Sequence, residues 1–212
     1  MPRDLTDLAV NSFVTFFVVI DPIGLIGIFN GLALRTPGTY RRRLAIRGTL
    51  IGTGVLLLFA LGGERLLTAL GISLPAFRAA GGAMLFLIAI EMMFRRRDNR
   101  RGETAQNAAD EPPEDLAISP LGIPLIAGPG AITSALLLMS RYRGSYAAEG
   151  IILLSMLAVL AITLATFLAA ERLSHFVGPT IAEIATRLLG ILLAAVAVEY
   201  MVVGIRQIWD AG

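Results

Sequence analysis

Val18-Val19-Ile20-Asp21-Pro22-Ile23-Gly24-Leu25 places an acid, a proline and a glycine in the middle of an apolar run covering residues 10–34. A run of that length can cross a bilayer, which puts Asp21 near its centre. Proline removes a backbone donor and turns the preceding residue away from helical angles, so the sequence predicts a helix broken here. Asp21 is a good N-cap and Pro22 a good first helical residue, so a second half-helix is expected to open at once.

The device recurs at Leu125-Ile126-Ala127-Gly128-Pro129-Gly130-Ala131-Ile132, inside the apolar run over residues 118–139, with Gly128-Pro129 in the place of Asp21-Pro22. Freed N–H and C=O groups at membrane depth are tolerated only against protein or a hydrated cavity. Two matched breaks therefore point to a binding site for a transported solute.

The composition sets the class. Of 212 residues, 56% are hydrophobic, and they are gathered in long runs, the pattern of an all-α integral membrane protein. Strand-period alternation is absent, which argues against an outer-membrane barrel. With no cysteine and the single histidine His175, neither disulfides nor a metal site of the zinc type is expected, and no cofactor is called for. The arginines lie in short segments between apolar runs, so they read as topology determinants rather than a nucleic-acid surface. The first run is read as a retained helix, not a cleaved signal.

Six spans can be placed, at residues 10–34, 47–62, 77–94, 118–139, 150–170 and 188–208, the second extending to Leu70 if Glu64 and Arg65 face protein or the interface. Residues 95–117 are charged and carry Pro112-Pro113, which predicts a linker. It divides a single transmembrane domain into repeats over residues 1–94 and 118–212. A spacing of about 107 residues relates Ser12 to Ser119, Asp21-Pro22 to Gly128-Pro129, and Glu64-Arg65-Leu66 to Glu171-Arg172-Leu173. Arg78-Ala79-Ala80-Gly81 matches Arg187-Leu188-Leu189-Gly190 two residues out of step. Three spans per half is an odd number, so the second half enters the membrane from the opposite side as an inverted repeat. Twelve arginines fall in the first, third and fifth connections against six on the other side. That places both termini outside a plasma (inner) membrane crossed several times.

Each candidate residue also has a plainer explanation. Asp21 is an ionisable group at the bilayer centre, expensive unless it serves a function, though it can also be a cap. Gly128, Pro129 and Gly130 allow a backbone to approach a ligand, or simply kink the span. Glu199, well inside the last span, is a second coupling candidate or a hydrogen-bonding residue between helices. Glu91 reads as the partner of Arg95. Gly48 with Gly52, Ala79 with Ala83, and Gly81-Gly82 read as close helix packing. Asn30, Thr133 and Ser134 lie near the breaks, where helix-to-helix hydrogen bonds compete with ligand contact.

Asp21-Pro22-Ile23-Gly24, Phe77-Arg78-Ala79-Ala80-Gly81-Gly82 with Leu85-Phe86-Leu87-Ile88-Ala89-Ile90-Glu91-Met92, and Ser119-Pro120-Leu121-Gly122-Ile123-Pro124-Leu125-Ile126-Ala127-Gly128-Pro129-Gly130-Ala131-Ile132 resemble the signature segments of the MarC family. The resemblance covers essentially the whole chain. It implies a six-helix transporter of small neutral amino acids such as glycine and alanine, with discontinuous first and fourth helices. Carried onto this chain, it places the substrate at Asp21, Pro22, Ile23 and Gly24 and at Ala127, Gly128, Pro129 and Gly130, with Thr133 and Ser134 nearby. Many relatives have proline where this chain has Gly27.

The physical reading fits a zwitterion. Half-helix N-termini suit a carboxylate, while the carbonyls that end the preceding half-helices, with Asp21, suit an ammonium group or a coupling cation. The sequence thus predicts a proton-coupled transporter of small neutral amino acids, with Asp21 or Glu199 as coupling site, the bilayer as partner and no enzymatic activity. A homo-oligomer is compatible with it. A channel or exporter for another small solute or cation, and a non-transporting membrane partner, stay open. An intramembrane aspartyl protease is disfavoured, because there is no Gly-x-Gly-Asp motif and Asp21 is the one aspartate at depth.

Overall fold

A computed structural model describes residues 5–33, 38–94, 115–176 and 179–210, with no strand among them. The helices are α1 (Leu5–Ile20), α2 (Leu25–Ala33), α3 (Gly38–Ala69) and α4 (Leu74–Met93), then α5 (Pro129–Arg141), α6 (Tyr146–Leu168), α7 (Ala170–Phe176) and α8 (Pro179–Trp209). A 3₁₀ turn, Asp115–Ala117, and an irregular segment, Ile118–Ile126, precede α5. Four helices are long and apolar enough to cross a membrane. Two further pairs are bent: α1 and α2 by 45°, and the stretch before α5 against α5 by 56°. Counting each bent pair as one span makes six.

Several boundaries differ from the sequence reading. The helix of the second span runs from Gly38 to Ala69, so Arg41, Arg42, Arg43 and Arg47 lie on its first turns rather than in a connection. The last helix starts at Pro179, not near Leu188, which places Arg187 on it, bonded to Glu183 one turn earlier. Arginine and glutamate are good helix formers, and nothing in these stretches stops a helix. The linker ends sooner than residue 117: Leu116 and Ala117 are buried in the turn that opens the second half. Most of residues 95–117, including Arg95, the expected partner of Glu91, lie outside the described residues.

The bundle is held by glycine-lined contacts, as expected where lipid tails supply no apolar driving force between helices. α4 and α8 run antiparallel with their backbones touching: a Cβ on Gly82 would stand 2.7 Å from the Met201 nitrogen, and one on Gly204 2.6 Å from the Ala79 nitrogen. α3 runs parallel to the second bent pair. Its Gly48 meets Leu121, Gly52 meets Ile126, and Gly63 meets Leu136. Polar side chains inside helices satisfy themselves locally, as Thr163 does on the Val159 carbonyl at 2.9 Å and Thr166 on that of Ile162 at 2.8 Å. Leucine and isoleucine side chains such as Leu58, Leu154 and Ile191 are turned outward, the surface a bilayer solvates.

Candidate functional site

The bend between α1 and α2 is made by Asp21 itself. Its N–H closes the last turn of α1 on the Phe17 carbonyl at 2.9 Å, and its φ of 58° then turns the chain into the left-handed region. Aspartate is among the few residues that enter this region without branching penalties. Its carbonyl accepts from the Leu25 N–H at 3.1 Å and its Oδ1 from the Gly24 N–H at 3.1 Å. The expected N-cap is thus realised through a left-handed turn rather than extended backbone, and α2 starts at Leu25 rather than Pro22. Asp21 is completely buried. A Cβ on Gly24 would come 2.2 Å from Asp21 Oδ2, so a larger residue there would displace the carboxylate.

The second bend is built differently. Residues 118–126 are not a regular half-helix: Ser119 and Ile123 have extended backbones, and the peptide bonds before Pro120 and Pro124 are cis. Helix α5 begins at Pro129, with Gly128 as its N-cap and no side chain bonded to its first turn. A Cβ on Gly128 would stand 2.7 Å from the Pro124 oxygen, so glycine is needed for the chain to double back. The N-terminus of α2 is therefore capped by its own acid, while that of α5 has no side-chain cap, which leaves the dipole end able to face an anion.

The two bends come together. A Cβ on Gly130 would lie 3.0 Å from Val19 Cγ1 and 2.6 Å from Ile88 Cδ1, so the end of α1, the start of α5 and the middle of α4 share one packing point. Pro22, Ala127 and Gly130 are buried, Ile23 and Gly24 partly so, and Pro129 is exposed. Thr133 packs its methyl against Gly81. Ser134, one turn beyond Gly130 on the same face, is fully buried and its Oγ has no hydrogen-bond partner.

Glu199 is not at the bends. It is exposed on α8 and lines a cleft of about 530 Å³ with Asp7, Asn11, Arg141 and Tyr200. Sequence reasoning missed this grouping. Asp7 and Asn11 share one face of α1, but nothing in the sequence ties them to Arg141.

Two ion pairs close opposite ends of the bundle. Glu64, near the end of α3, pairs with Arg143 beyond α5 and holds its guanidinium above the ordinary range. At the other end Arg41 of α3 reaches Glu171 of α7 at 3.4 Å and Asn30 of α2 at 2.5 Å. There Arg41 also lies over the Phe29 ring, which stacks on Phe167 with centroids 4.5 Å apart. Among the described residues no cluster of three or more His, Cys, Asp or Glu could hold a metal ion.

The chain matches the model of the MarC family integral membrane protein over residues 6–209. It is similar to two UPF0056 membrane proteins of Methanocaldococcus jannaschii. One is 32% identical, with 98% of this chain and 91% of the relative covered; the other is 35% identical, with 92% and 94% covered. UPF0056 membrane protein YhcE of Escherichia coli is 29% identical, with 93% and 91% covered. No solved structure matches the chain.

Proposed function

The chain belongs to the MarC family of integral membrane proteins, and we propose that it is a secondary transporter of small neutral amino acids of the glycine and alanine type. The carrying observation is the contrast between two adjoining bends: one is closed by the buried acid Asp21, and the other opens on the uncapped N-terminus of α5. A carboxylate fits the positive end of α5, with the Ser134 hydroxyl one turn away as a donor. An ammonium group, or a coupling proton, fits Asp21. Small substrates suit a site whose glycines leave room for little more than a backbone.

In this reading the six spans are two inverted three-helix repeats, with spans one and four discontinuous at mid-membrane. The ion pairs support it. Glu64 and Glu171, about 107 residues apart, each meet an arginine of the other half, Arg143 and Arg41, at opposite ends of the bundle. That exchange suits a protein that opens alternately to each side. The termini lie outside, so the Arg41 end is cytoplasmic. Purified protein in liposomes should accumulate labelled glycine or alanine when a proton gradient is imposed. Tight vesicles containing folded protein and showing no uptake of either would overturn the proposal.

A further inference from the structure

The cleft around Glu199 lies between the first turns of α1, the last turn of α5 and the inner part of α8, on the face that bears the N-terminus. Glu199 stands ten residues before the end of α8 at Trp209, roughly 15 Å along the helix axis. It opens into the cleft beside Asp7 and Arg141, near the ends of α1 and α5, where an acid can keep its charge in water. The cleft holds both charges a zwitterion needs. Arg141 and Glu199 line it with no ion pair between them, and the Asn11 amide and Tyr200 complete its polar wall.

What lies behind the cleft points the same way. α1 and α5 run antiparallel, meeting at Val19 and Gly130 beside the bends and at Asp7 and Arg141 in the cleft. Ser12 on α1 and Ser134 on α5 fall between these meeting points. Both hydroxyls are fully buried, and neither has a hydrogen-bond partner. Native proteins pair nearly all such groups, and an unpaired one calls for an explanation such as a water or ion; a passing polar ligand would supply one here.

We propose that this cleft is a second, outer binding subsite for a zwitterionic amino acid, resting on the transporter reading above. Arg141 holds the carboxylate, and Glu199 holds the ammonium. Ser12 and Ser134 then bond the substrate between the cleft and the bends, replacing water it has shed. The subsite is separate from the bends and explains why Glu199 stands apart from Asp21.

The chain contains no cysteine, which makes a direct test available. Ala195→Cys puts one thiol on the cleft wall, to be labelled from outside by a membrane-impermeant thiol reagent with and without glycine. Glycine is expected to slow labelling. With Arg141→Gln added, protection should need about tenfold more glycine, the loss expected for one charge-assisted hydrogen bond. Arg141→Lys should keep most of the protection, which separates loss of charge from loss of fold. Ser12→Ala with Ser134→Ala should lower the maximal uptake rate while leaving protection at Ala195→Cys intact; unchanged uptake removes the two serines from the path. Labelling indifferent to glycine, in protein that transports glycine, overturns the subsite but not the transporter. Protection without any uptake keeps the subsite as a binding site and overturns the transporter. Neither protection nor uptake overturns both.

Discussion

Val19 and Gly130, from opposite halves of the chain, touch so closely that a Cβ added to Gly130 would lie 3.0 Å from Val19 Cγ1. The last turn of α1 and the first turn of α5 are thereby pinned beside their two bends. Gly130→Val is expected to overpack this point, because Ile88 closes the other side at 2.6 Å. The cost should be about 1–3 kcal/mol, seen as a lower midpoint of thermal unfolding in detergent and loss of glycine uptake. A Gly130→Val protein with wild-type stability would mean that the bends are not pinned here.

Asp21 has two duties that substitution can separate. Asparagine keeps an acceptor for the Gly24 N–H and tolerates the left-handed turn, so Asp21→Asn should fold and express nearly as wild type. If the carboxylate carries the coupling proton, the same variant should lose proton-driven uptake. Asp21→Ala should damage both, losing the cap at a cost of about 1 kcal/mol. Wild-type uptake by Asp21→Asn across a pH series would leave Asp21 as a structural cap.

The ion pair of Arg41 and Glu171 is largely exposed on the glutamate side, with 80% of that side chain accessible. Pairs of this kind contribute about 0–1 kcal/mol, weak enough to open in each turn of the proposed transport cycle. Glu171→Arg should therefore shift the unfolding midpoint little but change the uptake rate, and adding Arg41→Glu should bring the rate back towards wild type. A single reversal that leaves the rate untouched would remove this pair from the cycle.

Topology offers a simpler check. A cytoplasm-active reporter fused after Gly212 should be silent, and one inserted in the linker between residues 95 and 114 should be active. The reverse result would invert the orientation given by the arginine distribution.

Much of this architecture is legible in the sequence because its signals are local. The Asp21-Pro22 and Gly128-Pro129 pairs mark both bends within a few residues, since proline and glycine act on the backbone where they stand. The packing role of Gly48, Gly52, Gly81 and Gly82 follows from the same locality. The form of the second bend is less legible: residues 118–126 read as a half-helix, yet their two prolines remove two N–H donors and the residues before them, Ser119 and Ile123, are extended. Arg78, one of the six arginines on the outer side by sequence, lies not in a connection but buried in α4, where it bonds Gln207 at 2.8 Å. The partners of Glu64 and Glu171, and the neighbours of Glu199 in its cleft, were hidden because they lie on other elements, and residue spacing carries no information about which elements become neighbours.

The φ of 58° at Asp21 narrows what evolution can place there. Glutamate would keep the negative charge, but its longer side chain cannot make the same short bond to the Gly24 N–H, and it is seldom found in the left-handed region. Asparagine would keep the turn and surrender the charge. Glycine would turn even more easily and offer the next helix nothing to start on. A single position is asked to be a hinge pin, a cap and an acid at once, and aspartate is the side chain in which those three demands overlap.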